Sequence, residues 1–364
     1  MATVTEAYCI SEGSGKETNH YVISLRGSGI NYKPGDSLGF YPTNDKELVK
    51  QTVRKINARR KDLINTKETG ETTLENALLH RFTIHRAGKK LLSAVVQRMN
   101  KGKEKNDLEK ILDNREEVDK YLFTRDCIDI LNENDVHFTP QEFVDTLSPI
   151  TPRLYSISSS PKAHPREVHL TIAIVKYNNF ERDRFGLATG HLCNQINVNE
   201  TKIPIYIQPT KEFVLPKNGS TDIIMIGPGT GIAPFRAFLE HRIAEHAHGR
   251  NWLFFGDWTE EGEYYYRDEM EDWKERGVLD RHDLAWSRAG DEKVYVQHLM
   301  IKHGQEIWNW IDGGAHFYVC GDKNYMAKDV HSTLIQICAD FGGMSADEAK
   351  EFVEVRMMKT DKRY

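Results

Sequence analysis

The chain has 364 residues, 39% hydrophobic and 28% charged, with a formal net charge of −5. Such a length holds two or three domains, and such a composition is that of an ordinary globular protein. The mildly acidic balance argues against broad nucleic-acid binding. No window is long and apolar enough to span a membrane, and Met-Ala-Thr-Val-Thr-Glu lacks the basic and apolar regions of a signal peptide. The five cysteines, Cys9, Cys127, Cys193, Cys320 and Cys338, are scattered with no C-x-x-C pair. They read as free thiols in a reducing cytoplasm, and no metal site is expected.

Residues 1 to about 45 alternate and turn. Tyr21–Leu25 is expected to be a strand, and Tyr32-Lys33-Pro34-Gly35-Asp36 a turn into the strand Ser37–Tyr41. From about Asp45 to Pro149 apolar residues recur at helical spacing, in 47–56, 73–80, 89–99 and 107–112. Thr72 and Glu75 have capping-box spacing, and Thr139-Pro140-Gln141-Glu142 opens another helix by the same logic. The charged run Lys101–Lys110 is a solvated loop or helix face, because Glu104, Asp107 and Glu109 interrupt its basic residues. From Thr151 to about Pro209 β character returns. Glu167–Lys176 is apolar on both faces and is expected to be a central strand. Ile203–Ile207 is a further strand, and a helix between them begins near Thr189.

From Lys217 onward strands are expected at 222–226, 252–255, 282–286 and 316–320, and helices at 234–247, 266–276, 294–311, 324–341 and 345–358. This rhythm calls for a parallel sheet with helices on both faces. Its first strand runs into Gly227-Pro228-Gly229-Thr230-Gly231 and then a helix, with Pro234 early in it. Three glycines in five residues let backbone N–H groups approach a phosphate at a helix N-terminus. The spacing G-x-G-x-G is neither the dinucleotide G-x-G-x-x-G nor a Walker loop. Alone, it is either a phosphate cradle or an ordinary strand-to-helix turn.

Four other clusters decide. Arg153-Leu154-Tyr155-Ser156 places a cation and a phenol on one face of an extended segment and a hydroxyl on the other. Gly186-Leu187-Ala188-Thr189 puts a glycine, a small residue and a hydroxyl at a helix start, where an anion or a simple N-cap would suit it. Ser287, Arg288, Lys293, Tyr295 and Gln297 follow a strand end, and their polar groups can hold a dianion. Cys320-Gly321-Asp322 closes the last strand. Asp257, at the end of strand 252–255, is an alternative ribose contact, but the basic cluster outweighs it.

These motifs, in this order, resemble the ferredoxin–NADP reductase superfamily. "TPRLYSISSSP" and "GPGTGIAPFRAF" are most similar to the diflavin reductases, the type of the sulfite reductase flavoproteins and cytochrome P450 reductases. The resemblance runs from Pro34-Gly35-Asp36 to Gly342-Gly343-Met344. It implies an antiparallel β-barrel FAD domain (1–45 and 150–215), a helical connecting insertion (46–149) and a parallel, doubly wound NADPH domain (216–364). It also implies that Arg153, Tyr155, Ser156, Thr171, Ala173, Tyr177, Gly186, Ala188 and Thr189 hold FAD. NADPH falls to Gly229, Thr230, Gly231, Ser287, Arg288, Lys293, Tyr295, Gln297 and Asp322, with the basic cluster marking NADPH over NADH. Ser156 and Cys320 would flank the hydride path, positioning the nicotinamide rather than acting as nucleophiles.

Two departures stand out. The family's FMN domain has no counterpart ahead of Pro34, which leaves a separate flavodoxin-like protein, a one-flavin reductase or a fragment. The family's R-Y-x-x-D-V-aromatic tail stops here at Lys362-Arg363-Tyr364, so Tyr364 is the residue left to cover the flavin. The implied activity is electron transfer from NADPH through FAD to a protein acceptor, the sulfite reductase haemoprotein or a flavodoxin or ferredoxin. The alternatives are a stand-alone flavodoxin or ferredoxin reductase and a flavin-bound module with little turnover.

Overall fold

The computed structural model describes residues 1–67 and 70–364. Strands β1 (Ala2–Cys9), β2 (Thr18–Ser24) and β3 (Ser37–Phe40) come first. Helix α1 (Lys46–Lys55), the antiparallel pair β4 (Leu63–Thr66) and β5 (Gly70–Thr73), and helices α2 (Leu74–His80), α3 (Lys89–Arg98) and α4 (Lys103–Asp113) follow. Helices α5 (Arg115–Leu122), α6 (Cys127–Glu133) and α7 (Pro140–Asp145) complete that stretch. Next are β6 (Arg153–Ser156), β7 (Glu167–Ala173), β8 (Lys176–Asn179), β9 (Arg182–Phe185), α8 (Leu187–Asn194), β10 (Lys202–Ile203) and β11 (Ile205–Gln208). The last third holds β12 (Ile223–Ile226), a 3-10 turn (Gly229–Ile232), α9 (Ala233–Ala244), β13 (Asn251–Asp257), α10 (Glu260–Glu263) and α11 (Arg267–Glu275). It ends with β14 (Arg281–Trp286), α12 (Val296–Lys302), α13 (Gly304–Asp312), β15 (His316–Val319), α14 (Met326–Gly342), α15 (Ala346–Glu351) and a π-helical stretch, Phe352–Thr360.

The chain forms two compact units. One contains Met1–Gly39, Leu154–Ala173 and Asn197–Tyr364; the other contains Phe40–Arg153 and Ile174–Ile196.

In the first unit an antiparallel sheet runs β10-β1-β2-β7, and a second sheet runs β11-β3-β6. The turn before β3 works because Gly35 sits at φ +96°, where a Cβ would run into the carbonyl of Phe213. Asp36 beside it accepts the N–H groups of Lys33 and Thr210, both at 2.9 Å. The parallel sheet runs β14-β13-β12-β15. Period-2 alternation sends Ile224 and Ile226 to the face covered by α12 to α15, and Ile223 and Met225 to the face covered by α9 and α11. The sheet is therefore covered on both faces, as the strand–helix rhythm predicts.

Several local expectations shift. β7 ends at Ala173 and lies at an edge of its sheet rather than in the centre. A bridge between Ile157 and Leu170 pairs part of its outer edge, and His169 and Thr171 are buried on one face against His20 and Tyr266. Ile203–Ile207 is divided between β10 and β11, which belong to different sheets. The helix expected over 294–311 breaks between α12 and α13. There Gly304 lies against the Phe341 ring, so close that a Cβ would overlap it.

The second unit is built on Val49, Val53, Leu74, Leu78, Leu91, Leu92, Val95 and Phe143. Thr73, not Thr72, caps α2, accepting from the Asn76 N–H at 3.3 Å: it is the last residue of β5, and the helix begins at Leu74. The Thr139–Glu142 capping box forms as expected. Helix α4 carries the charged run and buries no residue fully. Arg184 of β9 is buried and grips Asp129 of α6 at 2.6 and 2.9 Å and Asp126 at 3.0 Å. That grip fixes the strand leading into α8.

Burial pushes His85, His191 and His282 down to about 4. His191 Nδ1 accepts the Thr43 N–H at 2.8 Å, so protonation there would remove an acceptor. A depressed histidine stabilises the fold above its unfolded pKa of about 6.5, and that contribution is lost as pH falls towards 4. Denaturant titrations are therefore expected to show stability falling from pH 6.5 to 4. The slope reaches up to about 1.4 kcal/mol per pH unit for each histidine. Constant stability across that window would contradict the assignment.

Candidate functional site

The glycine loop leaves β12 and packs against the end of β15. A Cβ on Gly227 would overlap the Phe235 ring, and one on Gly231 would run into the carbonyl of Cys320. Gly229 takes φ +57°. The glycines thus serve close approach and turning before any ligand is considered. The loop first makes a 3-10 turn and only then continues into α9, whose start has no side-chain cap. The Gly231 and Ala233 N–H groups are used within the turn, donating to the Pro228 and Thr230 carbonyls, and Pro234 has none, which leaves the N–H groups of Gly229 and Thr230 at the head of the turn as the ones suited to an anion.

A cleft of about 500 Å³ opens here, within the size range of small-molecule sites. Gly229, Ser287, Tyr295, Gln297 and Asp322 all line it. Thr230, Gly231, Arg288 and Lys293 do not. Arg288 is exposed, its guanidinium lying 3.4 Å from the Trp258 ring centroid. Ser287 donates to the Asp257 carbonyl at 3.0 Å. Asp257 is already engaged: Lys16 Nζ lies 2.8 Å away, and Tyr265 donates to it at 3.0 Å. Its charge is thus met within the protein. Asp322 accepts the N–H groups of Asn324 and Tyr325, at 3.0 and 2.7 Å, and so shapes the loop before α14.

Ser156 and Cys320 meet: their side chains hydrogen-bond across from β6 to the end of β15. Burial pushes the Cys320 thiol up to about 11, with the Ser156 bond offsetting part of the rise. The thiol stays protonated at neutral pH and is no nucleophile. Thr171 is buried, its hydroxyl 2.5 Å from that of Tyr266, while Ala173 ends β7 half-buried.

In the second unit, Gly186 is the N-cap of α8, which starts two residues before the expected Thr189. No side chain caps it, and Thr189 donates back to the Gly186 carbonyl at 3.2 Å. The first-turn amides are thus free for an anion, as a pyrophosphate requires. A cavity of about 360 Å³ includes Gly186, Leu187 and Gly190 in its wall. Arg153 is exposed, and Tyr177 is half-buried in the β8–β9 hairpin opposite Arg184. Tyr364 is drawn elsewhere: it packs edge-on against Phe317 and stacks on His331, with its hydroxyl 3.1 Å from His331 Nδ1.

Sequence reasoning missed Lys16, which comes from the β1–β2 loop with no motif around it. It also missed the platform role of Trp258, and Tyr325, 79% exposed at the cleft. Arg236, a member of the recognised loop motif, went unassigned. It is buried and binds Glu269 at 2.7 and 2.9 Å, Glu240 at 2.9 Å and the Ser158 carbonyl at 2.7 Å.

Replacing Gly231 with alanine is expected to push the Cys320 carbonyl away and lower nucleotide-dependent turnover by at least roughly 10-fold, the effect of one lost polar contact. Unchanged steady-state kinetics would contradict this packing.

An antiparallel sheet system joined to a parallel nucleotide-type sheet, with an open glycine loop at its strand ends, defines a two-domain flavin- and nicotinamide-nucleotide-binding oxidoreductase. The chain belongs to the family described as FAD binding domain, which it matches over residues 1–191. Residues 225–332 match the family described as oxidoreductase NAD-binding domain. The chain is 40% identical over 356 residues to the sulfite reductase [NADPH] flavoprotein alpha-component of Bacillus subtilis (strain 168), covering 97% of this chain and 58% of that protein. It is 37% identical to the protein of that name from Photobacterium profundum, covering 96% and 57%. With that from Escherichia coli O157:H7 it shares 38% identity, again covering 96% and 57%. The chain thus spans less than two thirds of the length of these relatives. It is an FAD- and nicotinamide-nucleotide-binding oxidoreductase chain of the ferredoxin–NADP reductase type. No helix of the described residues is long and apolar enough to cross a membrane.

Proposed function

We propose that this chain takes electrons from NADPH through FAD to a protein acceptor in sulfite reduction, in the cytoplasm. The observation that carries the reading is the Ser156–Cys320 hydrogen bond beside the glycine loop, which joins a barrel strand to the nicotinamide-nucleotide sheet. NADPH supplies a hydride when bound, and FAD supplies the conversion of that pair into single electrons.

The residues' own work is binding and orientation. Gly229 and Thr230 present backbone N–H groups to the nucleotide pyrophosphate, and Gly231, whose own N–H donates to the Pro228 carbonyl, keeps the turn close to Cys320. Arg288, Lys293 and Ser287 hold the 2′-phosphate, with Tyr295 and Gln297 on the cleft wall. Asp322 holds its loop in shape. Gly186, Ala188 and Thr189 receive the flavin pyrophosphate, and Tyr177 receives the adenine. Arg153, Tyr155, Ser156, Thr171 and Ala173 belong to the flavin. Cys320, a neutral thiol bonded to Ser156, positions the nicotinamide. Residues 1–45 with 150–215, 46–149 and 216–364 are the corresponding FAD, connecting and NADPH regions. Tyr364 is left out of this assignment, because its ring is committed to Phe317 and His331.

The acceptor is tested by adding a sulfite reductase haemoprotein or a flavodoxin to the protein with NADPH. Direct reduction of the haemoprotein supports the reading, and so does reduction that needs added flavodoxin as carrier. Reduction of flavodoxin alone, with the haemoprotein oxidised throughout, replaces it with a stand-alone flavodoxin reductase.

A further inference from the structure

Away from the cleft, three side chains around the start of β7 converge. We propose that His164, Glu167 and His169 form a three-ligand site for a divalent zinc-class metal ion at the start of β7, tied to helix α9 through the contact of His164 with Glu240. One donor atom from each lies within 4.8 Å of the other two. Glu167 Oε2 is 3.9 Å from His164 Nδ1 and 3.5 Å from His169 Nε2. Tetrahedral zinc, with bonds of about 2.0–2.2 Å, places its ligands roughly 3.4 Å apart. The two contacts to Glu167 thus close with shifts of up to about half an ångström, and the two imidazoles, with ring centroids 4.1 Å apart, close from within 4.8 Å. His169 Nε2 is buried and makes no hydrogen bond within the protein, an orphaned donor aimed at this point.

The outer nitrogens are already held, as metal-binding histidines require. Glu240 Oε1 lies 3.1 Å from His164 Nε2. His20 Nε2 lies 3.2 Å from His169 Nδ1, and the other nitrogen of His20 meets the Tyr266 hydroxyl at 2.8 Å. Both imidazoles are thus oriented from behind, with Nδ1 of His164 and Nε2 of His169 left for the ion. Two histidines and one carboxylate are a zinc donor set, with a fourth position for water. The charges agree. Glu240 is shared with buried Arg236, which also binds Glu269. One guanidinium thus stands against three carboxylates with Glu167, and a dication leaves the cluster neutral. His164 and Glu167 are 30% and 39% exposed, which gives the ion an entry path.

The scattered cysteines pointed away from metal binding, whereas His164, Glu167 and His169 lie within six residues of one another. Bound here, the ion stiffens the joint between the barrel and the helix that carries the glycine loop.

The test is equilibrium dialysis of the FAD-loaded protein against Zn²⁺, with metal counted per chain and thermal unfolding measured alongside. One ion per chain and a raised Tm are expected. His164→Gln and Glu167→Gln, both at part-exposed positions, should each weaken binding by roughly 10-fold or more while keeping FAD content. X-ray absorption at the zinc edge of the unaltered protein should show nitrogen and oxygen neighbours. Absence of binding, equal binding by the two variants and the unaltered protein, or a sulfur-ligated ion at the free cysteines would each overturn the proposal.

Discussion

Replacing Arg288 with alanine is expected to raise the KM for NADPH by roughly 10- to 100-fold while leaving that for NADH nearly unchanged. A charge-assisted hydrogen bond contributes about 1.5–3 kcal/mol, and each 1.4 kcal/mol is a factor of ten. Arg288 is placed for such a bond. Its guanidinium lies over Trp258, at 3.4 Å from the ring centroid, and its backbone N–H donates to the Trp258 carbonyl at 2.8 Å. Arg288 is exposed, so its planar fork of donors is accessible to the 2′-phosphate proposed for it. A lysine there keeps the charge but loses the planar stack and the paired donors, so Arg288→Lys should fall between. Steady-state kinetics with both nucleotides decide it. An equal rise for NADPH and NADH would show that Arg288 merely shapes the loop.

Arg236→Ala is expected to destabilise the protein by about 3–5 kcal/mol, the usual effect of leaving buried charges without their partner. Burial alone would push the Arg236 pKa down, but the hydrogen bonds and charge of Glu269, with the charge of Glu240, outweigh it and raise the pKa. The guanidinium is therefore firmly charged. Its removal strands Glu240, which is 7% exposed and itself accepts the Ser160 N–H at 2.7 Å. It also takes away the cation 4.9 Å from the Tyr266 ring centroid and the donor to the Ser158 carbonyl. A Tm lowered by about 10 °C should follow in a thermal scan. A change under about 2 °C would mean that the network contributes little net stability.

The parallel sheet was readable because β12, β13 and β15 are short, largely apolar runs that alternate with helices; only β14, which begins Arg281-His282-Asp283, departs from this. Ile223–Ile226 alternates between two cores, and Trp252 with Phe254 takes one side against Leu253 with Phe255 on the other. The motif residues were readable because their pattern is local: three glycines turning between a strand and a helix, a helix start without a side-chain cap at Gly186. What stayed hidden depends on distant pairing. Nothing near Lys16 announces that it will neutralise Asp257, 241 positions on. Tyr266, in the left-handed region at φ +59°, binds His20 and Thr171 through its hydroxyl, a role that no periodicity encodes. The edge position of β7 escaped for a similar reason. Two apolar faces suggest a central strand, whereas here the segment after β6 pairs part of the outer edge.

The most direct test is anaerobic stopped-flow mixing of the FAD-loaded protein with NADPH and, separately, NADH. The account predicts a yellow protein whose flavin absorbance bleaches rapidly with NADPH and far more slowly with NADH, and whose bleaching slows in Cys320→Ala. A protein that binds FAD yet is not bleached by NADPH, or is bleached equally by both nucleotides, would contradict it.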